Sequence, residues 1–287
     1  MRHCGVAIAV AAILAPSLAH AADLEVFKAE QPTIYVQNNF LWNGVYVGGF
    51  VGGAWATADW GSGAIALTLE NGNVASLPVR LAQENVPLTG FVGGGHVGVT
   101  YQAAAWVFGF EGDFSGMTLK GHATRAFIGT VTAGKISVQA TGTSAFQTTA
   151  DWATTFTGRF GYTFDRVLAY GKVGVAVEQD GETEVSTATS CTVTNNSVNP
   201  PTQHPCTASS LSRAGTATRY GWTAGAGLEY AFDKNWSAFA EYDHLGFLSH
   251  LVNLTVPGSA GTVAGTRLIA LNTDRVVVGA NYRFNQP

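Results

Sequence analysis

The segment Thr273–Phe284 reads TDRVVVGANYRF, and with a period of two it has unlike faces. Val276, Val278, Ala280, Tyr282 and Phe284 fall on one; Arg275, Val277, Gly279, Asn281 and Arg283 fall on the other. Successive strand residues point to opposite sides of a sheet, so this is a strand with an apolar, aromatic-ended face and a polar, charged one. Two environments suit it: a soluble sheet with one buried face, or a barrel wall with lipid outside and a polar lumen inside.

Seven earlier segments repeat the pattern, at about Gly44–Trp60, Leu88–Gln102, Trp106–Met117, Asp151–Phe164, Val167–Gln179, Arg219–Phe232 and Trp236–Phe247. The uncharged stretch Gly90–Phe110 is long enough for a spanning helix. Its glycines, three of them consecutive at Gly93–Gly95, oppose helix by about 1 kcal/mol each relative to alanine. Phe91, Val97, Val99 and Tyr101 also alternate there with His96, Thr100 and Gln102, so the stretch is read as a hairpin. The connections Gln102–Ala105, 165–166 and 233–235 are short, whereas those near 61–87, 118–150, 180–218 and 248–272 are long and rich in Gly, Thr, Ser and Asn. This alternation predicts an all-β fold: an eight-stranded antiparallel up-and-down transmembrane β-barrel with short periplasmic turns and four long extracellular loops. A Greek-key sandwich has no such rhythm.

Charge placement assigns the faces. Glu111, Asp113, Arg159, Lys172, Glu178, Arg219, Glu229, Glu241, Asp243, Arg275 and Arg283 share one phase, and no Lys, Arg, Asp or Glu is assigned to the other. A charge facing mid-bilayer costs up to about 2–4 kcal/mol, so the charged phase is placed in the lumen. Aromatic residues of the apolar phase gather at strand ends. Tyr101, Trp106, Phe164, Tyr230, Trp236, Tyr282 and Phe284 lie near the short turns, and Trp55, Trp152, Trp222 and Tyr242 near the long loops, as two interfacial girdles would. A soluble barrel would place aromatics mid-strand as readily. Only 12% of residues are charged, about half the ordinary share of ~25%, which fits a surface not wholly covered by water. Tyr46 and Phe50 run against the pattern, on the lumen phase of the first strand. An eight-stranded lumen is just wide enough for side chains to fill. Near-balanced charges there are expected to pair and plug it, the competing reading being an ion-conducting pore.

The net charge of −4 offers nothing to nucleic acid. Residues 1–21 read as a signal peptide: Arg2 and His3, an apolar run Val6–Leu14, then Ala19-His20-Ala21 with cleavage between Ala21 and Ala22. Residues 22–40 read as a mobile periplasmic segment and 41–287 as the barrel, in the outer membrane of a Gram-negative cell. Export leaves Cys191 and Cys206 in an oxidising compartment, where a disulfide closing a loop of about 15 residues is expected, worth ~3 kcal/mol in the chain-entropy model. His204 near these cysteines lacks a second ligand pair, so no metal or cofactor is expected. His244, Ser249 and His250 beside Asp243 are the one grouping with catalytic residue types. They read as ordinary rim residues and lack the His-x-Ser-Asn pattern of a small-barrel lipid A deacylase. A non-enzyme is therefore expected, with an outer-membrane enzyme modifying lipid A or phospholipid as the alternative and a soluble periplasmic binding barrel as a third reading. Lys120, Arg125 and Lys135 in the second long loop are read as solvated.

Several segments, in order, resemble a known family: WNGVYVGGFVGGAW (Trp42–Trp55), GFVGGGHVGV, WVFGFEGDFS (Trp106–Ser115), GRFGYTFDRVLAYGKVGVAV (Gly158–Val177), GWTAGAGLEYAFDKNWSAFAEYDHL (Gly221–Leu245) and RVVVGANYRF. They are similar to the small alpha-proteobacterial outer-membrane immunogenic proteins, a porin-like β-barrel family. The resemblance implies a surface-exposed, often antigenic barrel with structural or weakly porin-like roles and no catalytic residues. It further implies contact with outer-membrane lipid and lipopolysaccharide, and a C-terminal strand read by the outer-membrane assembly machinery. A monomer is expected. Phe50 stands where the family usually has a polar residue.

Overall fold

A computed structural model describes residues 40–68, 74–79, 84–205, 210–255 and 263–284. Its elements are all β-strands: β1 (Gly44–Thr68), β2 (Val74–Val79), β3 (Glu84–Ala103), β4 (Trp106–Ala133), β5 (Ile136–Phe164), β6 (Val167–Asn195), β7 (Thr202–Pro205), β8 (Ser210–Ala231), β9 (Trp236–Phe247), β10 (His250–Thr255) and β11 (Val263–Arg283). The signal peptide with its Ala21/Ala22 cleavage site, the segment before Phe40, Cys206 and residues 285–287 lie outside the described residues, as does the Cys191 side chain, and with it the expected disulfide.

Eleven strands stand where eight are expected. Antiparallel ladders join β1 to β3, β3 to β4, β4 to β5, β5 to β6, β6 to β8, β8 to β9, β9 to β11 and β11 back to β1, so the sheet closes on itself. The short strands β2, β7 and β10 attach to its far end, on β1, β6 and β11 respectively. Register fixes the tilt. From Gly98 the partners run Glu111, Thr157, Gly174, Thr223, Leu245, Thr273, Ala56 and then Leu88, ten residues from the start on the same strand. At about 3.3 Å per residue and about 4.8 Å per ladder, that stagger tilts the strands by about 40°.

The three additional strands and the lengths of the others correct the expected loops. The segment 118–150 is a continuation of β4 and β5, paired down to Ala133↔Ile136 and closed by a two-residue turn in which Gly134 takes φ +60°. β6 and β8 extend through much of 180–218, and β11 begins at Val263 rather than near Thr273. These extensions are rich in Thr, Ser, Ala and Gly, so they show no apolar alternation although their backbones pair along most of their length. The 29-residue β5 is about 95 Å long, where a membrane-crossing strand needs about 9–11 residues.

Side chains alternate in and out along the strands of the ring, as in β9, where Ser237, Phe239, Glu241 and Asp243 are buried and Trp236, Ala238, Ala240 and Tyr242 are exposed. Toward the far end Trp60, Val86, Leu88, Leu119, Phe146, Leu245, Phe247, Ile269 and Leu271 form an apolar cluster that is interleaved with further buried charges.

Candidate functional site

The eleven charged residues assigned to the lumen from sequence all face the interior, each no more than 7% exposed. Nine of them form one chain of ion pairs. Arg283 Nη2 meets Glu229 Oε1 at 3.4 Å, and Glu229 Oε2 meets Arg159 Nη2 at 3.1 Å. Arg159 Nη1 reaches Glu111 Oε2 at 3.1 Å, whose Oε1 lies 3.5 Å from Lys172 Nζ. Lys172 continues to Glu241 at 2.6 Å and Asp243 at 3.2 Å. Asp243 Oδ2 accepts from Arg275 Nε at 2.8 Å, and Arg275 Nη2 closes on Asp113 Oδ2 at 2.9 Å. The alternation of sign explains why so many charges tolerate burial: each is paired and hydrogen-bonded, without which burial would be prohibitive.

Tyr46 belongs to this network, which accounts for its departure from the expected pattern. Its hydroxyl donates to Glu111 Oε2 and accepts from Arg159 Nη1, both at 2.6 Å. Its ring crosses Gly98, where a Cβ would collide with the ring, Cε1 at 2.7 Å among the atoms met. Phe50 stacks on His96 at 5.8 Å and lies under the Arg275 guanidinium at 5.5 Å. Near the short turns Trp42 is fully buried. Its indole N–H donates to Thr163 at 2.9 Å, and its carbonyl accepts from Thr100 and from Arg283 Nη1, the latter at 3.2 Å.

The remaining two, Glu178 and Arg219, lie further along, where Arg219 joins a second group of ion pairs. Arg219 donates to Asp180 through Nε at 2.9 Å and Nη2 at 2.7 Å, and touches Glu182 at 3.3 Å. Arg267 and Arg213 share Glu184 at 2.7 and 2.9 Å. Glu178 Oε1 accepts from Thr273 at 3.4 Å. Sequence reasoning missed Asp180, Glu182, Glu184, Arg213 and Arg267, yet the signal was present. They continue the same period-two phase from Glu178, Arg219 and Arg275, beyond the points where apolar alternation stops.

The catalytic grouping does not assemble. Asp243 points inward while His244 lies on the outward phase, and Ser249 and His250 are exposed beyond the end of β9. Among the described residues no group of three or more His, Cys, Asp or Glu is arranged to hold a metal.

The sequence matches the family described as "Outer membrane protein beta-barrel domain" over residues 8–284. The chain belongs to that family. This outer-membrane β-barrel protein is 29% identical, over 236 residues, to the 31 kDa outer-membrane immunogenic protein of Brucella melitensis, with 81% of this chain and 82% of that protein aligned; the Brucella suis protein aligns equally. Among solved structures, OprG of Pseudomonas aeruginosa superposes with TM-score 0.38 at 11% identity, covering 85% of this chain and 98% of that one. Ail of Yersinia pestis gives TM-score 0.31 at 12% identity, covering 84% and 99%.

On the outside of the barrel, Trp55, Tyr101, Trp106, Phe164, Trp222, Tyr230, Trp236, Tyr242 and Phe284 are exposed and Trp152 and Tyr282 are partly so. Along the strands the two aromatic sets are separated by, for example, eight positions from Tyr230 to Trp222 and ten from Tyr101 to Phe91. At the tilt above this is about 20–25 Å along the axis. One expectation for this face is corrected. Asp274, on the phase of Val276 and Val278, points outward, and so does Asp59. A register irregularity between Ala150 and Trp152 also leaves Asp151 exposed. Asp274 is held by neighbours: Tyr242 Oη donates to its Oδ1 at 2.6 Å and His244 Nδ1 lies 2.8 Å from the same oxygen.

Proposed function

We propose that this protein is a sealed, eight-stranded transmembrane barrel with a structural and surface role and, at most, weak porin-like conductance. The observation that carries the reading is that side chains bond across the lumen at several heights. Arg275 of β11 reaches Asp113 of β4, Arg159 of β5 reaches Tyr46 of β1, Trp60 Nε1 of β1 donates to Thr148 of β5 at 3.0 Å, and Arg267 of β11 reaches Glu184 of β6. An ion would have to break these links and pass the apolar side chains of Trp60, Phe146 and Leu245 that pack among them. The aromatic bands, about 20–25 Å apart, match the apolar belt of a membrane barrel, with short turns on the periplasmic side and long hairpins outside.

The strands beyond the outer band then stand clear of the membrane as paired hairpins. Their exposure fits a surface antigen, as the name of the Brucella relative suggests. The expected partners are outer-membrane lipid and lipopolysaccharide around a monomeric barrel, and the assembly machinery at the C-terminal strand. Single-channel recording of purified protein in planar bilayers tests the reading: little or only small conductance is expected, and large, stable, porin-like steps overturn it. The protein is proposed to be no lipid-modifying enzyme, so lipid A from cells with and without it should have the same mass.

A further inference from the structure

We infer that the outward cluster of Asp274, His244, Tyr242, Trp55 and Trp222 is a binding site for a lipid headgroup bearing a primary ammonium, in the leaflet on the long-hairpin side. Three observations lead there. First, the carboxylate is placed in the aromatic band: Asp274 pairs directly with Trp55 across the β1–β11 ladder, and Trp222 packs on the His244 ring at 5.2 Å. Second, its hydrogen bonds are lopsided. Tyr242 and His244 both address Oδ1, and among the described residues Oδ2 has no partner. In a neutral His244 this arrangement puts the proton on Nδ1 and leaves Nε2 as an acceptor. Third, the cluster has no Lys or Arg: among the described residues none pairs with Asp274.

A free carboxylate oxygen and an imidazole acceptor between exposed indole and phenol rings attract a cation that also donates hydrogen bonds. The rings add cation–π attraction, strongest over tryptophan. A phosphate would meet the carboxylate's charge instead. The side chains of Asp274 and His244 are 23% and 33% exposed, open enough for a headgroup and sheltered enough to be oriented. The acyl chains of such a lipid would lie along the exposed Val276 and Val278 below.

The inference rests on the outward face meeting lipid, so the test separates the two. Protein reconstituted with brominated-chain phosphatidylglycerol must show quenched tryptophan emission; without quenching the membrane reading itself fails. Native mass spectrometry then compares retention of phosphatidylethanolamine, phosphatidylcholine and phosphatidylglycerol. Wild type should retain the ethanolamine lipid about fivefold over the glycerol lipid, and over the choline lipid, whose trimethylated nitrogen cannot donate. Asp274→Asn, nearly isosteric, should abolish the preference while the unboiled protein still migrates as folded, and His244→Gln should weaken it. Equal retention of the three lipids, or a preference unchanged in Asp274→Asn, overturns the proposal. So does a phosphatidylglycerol preference that vanishes with a chelator, which would mean a bridging divalent cation instead.

Discussion

Replacing Arg159 with methionine tests whether the lumen is dry. Arg159 is buried, bridges Glu111 and Glu229 at 3.1 Å each, and stacks 3.8 Å from the Tyr170 ring centroid. Removing one partner of a buried ion pair costs about 3–5 kcal/mol, because the other charge is left uncompensated. Here both carboxylates keep some partners. Glu111 retains Tyr46 and Lys172; Glu229 retains Ser237 at 2.6 Å, Asn281 at 2.9 Å and Arg283. That places the loss near the lower end, at about 3 kcal/mol, or a factor of about 150 in the unfolding constant. Urea unfolding of the barrel in lipid vesicles, followed by tryptophan emission and by the mobility of unboiled protein, measures it. The slope should be unchanged and the loss insensitive to added salt, since a buried pair is little screened. Lys120→Met, which removes an exposed lysine from the outward phase of β4, should unfold at the wild-type midpoint. A loss below about 1 kcal/mol for Arg159→Met, or one that disappears in high salt, would mean that water fills the lumen and the pairs behave as surface pairs, refuting the sealed interior.

Gly98→Ala should lower stability by about 1–3 kcal/mol, because its Cβ runs into the Tyr46 ring, whereas Gly53→Ala, whose Cβ meets nothing within 4 Å, should be neutral or slightly stabilising in the same unfolding assay. Trp60→Ala should cost about 3–5 kcal/mol, removing a fully buried indole and its bond to Thr148; a loss under about 1 kcal/mol would argue that the far end of the lumen is already open. Phe284→Ala should reduce the heat-modifiable, membrane-assembled fraction in cells, while deletion of residues 285–287 should leave it unchanged. Equal assembly of the two variants would refute the role given to the terminal aromatic.

Inside the membrane band the fold was legible because every strand there must separate lipid from lumen, and a period of two in the sequence records that demand. Arg275 and Arg283 against Val276, Val278 and Tyr282 is the clearest instance. Beyond the outer band the demand lapses. Thr143 and Thr187 face water from a paired backbone, so the hairpins of β4, β5 and β6 looked like loops. The apolar residues further along the lumen were hidden for a different reason: around Trp60 and Leu88 the contrast is reversed, with Ala58, Trp60, Val86 and Leu88 inward and Thr57, Asp59, Asn85 and Thr89 outward. Asp274 escaped notice because one polar residue at a strand's start is indistinguishable from a turn residue until Tyr242 and His244 are seen beside it.

The β1–β11 ladder carries a consequence for how the protein can be rewired. Its pairing runs from Tyr46↔Arg283 onward, and the Phe284 amide donates to the Val45 carbonyl at 2.9 Å, so the first and last strands start from the same rim. A short linker would therefore join residue 284 to residue 44, and new ends could be opened at Asp165-Arg166 or at Asp233–Asn235 with every ladder kept. Such a circular permutant would hold the same barrel while presenting Phe164 or Phe232 as its terminal aromatic. Comparing its insertion with the native order would test whether the proposed assembly role goes with the terminal aromatic or with the strand that closes the wall.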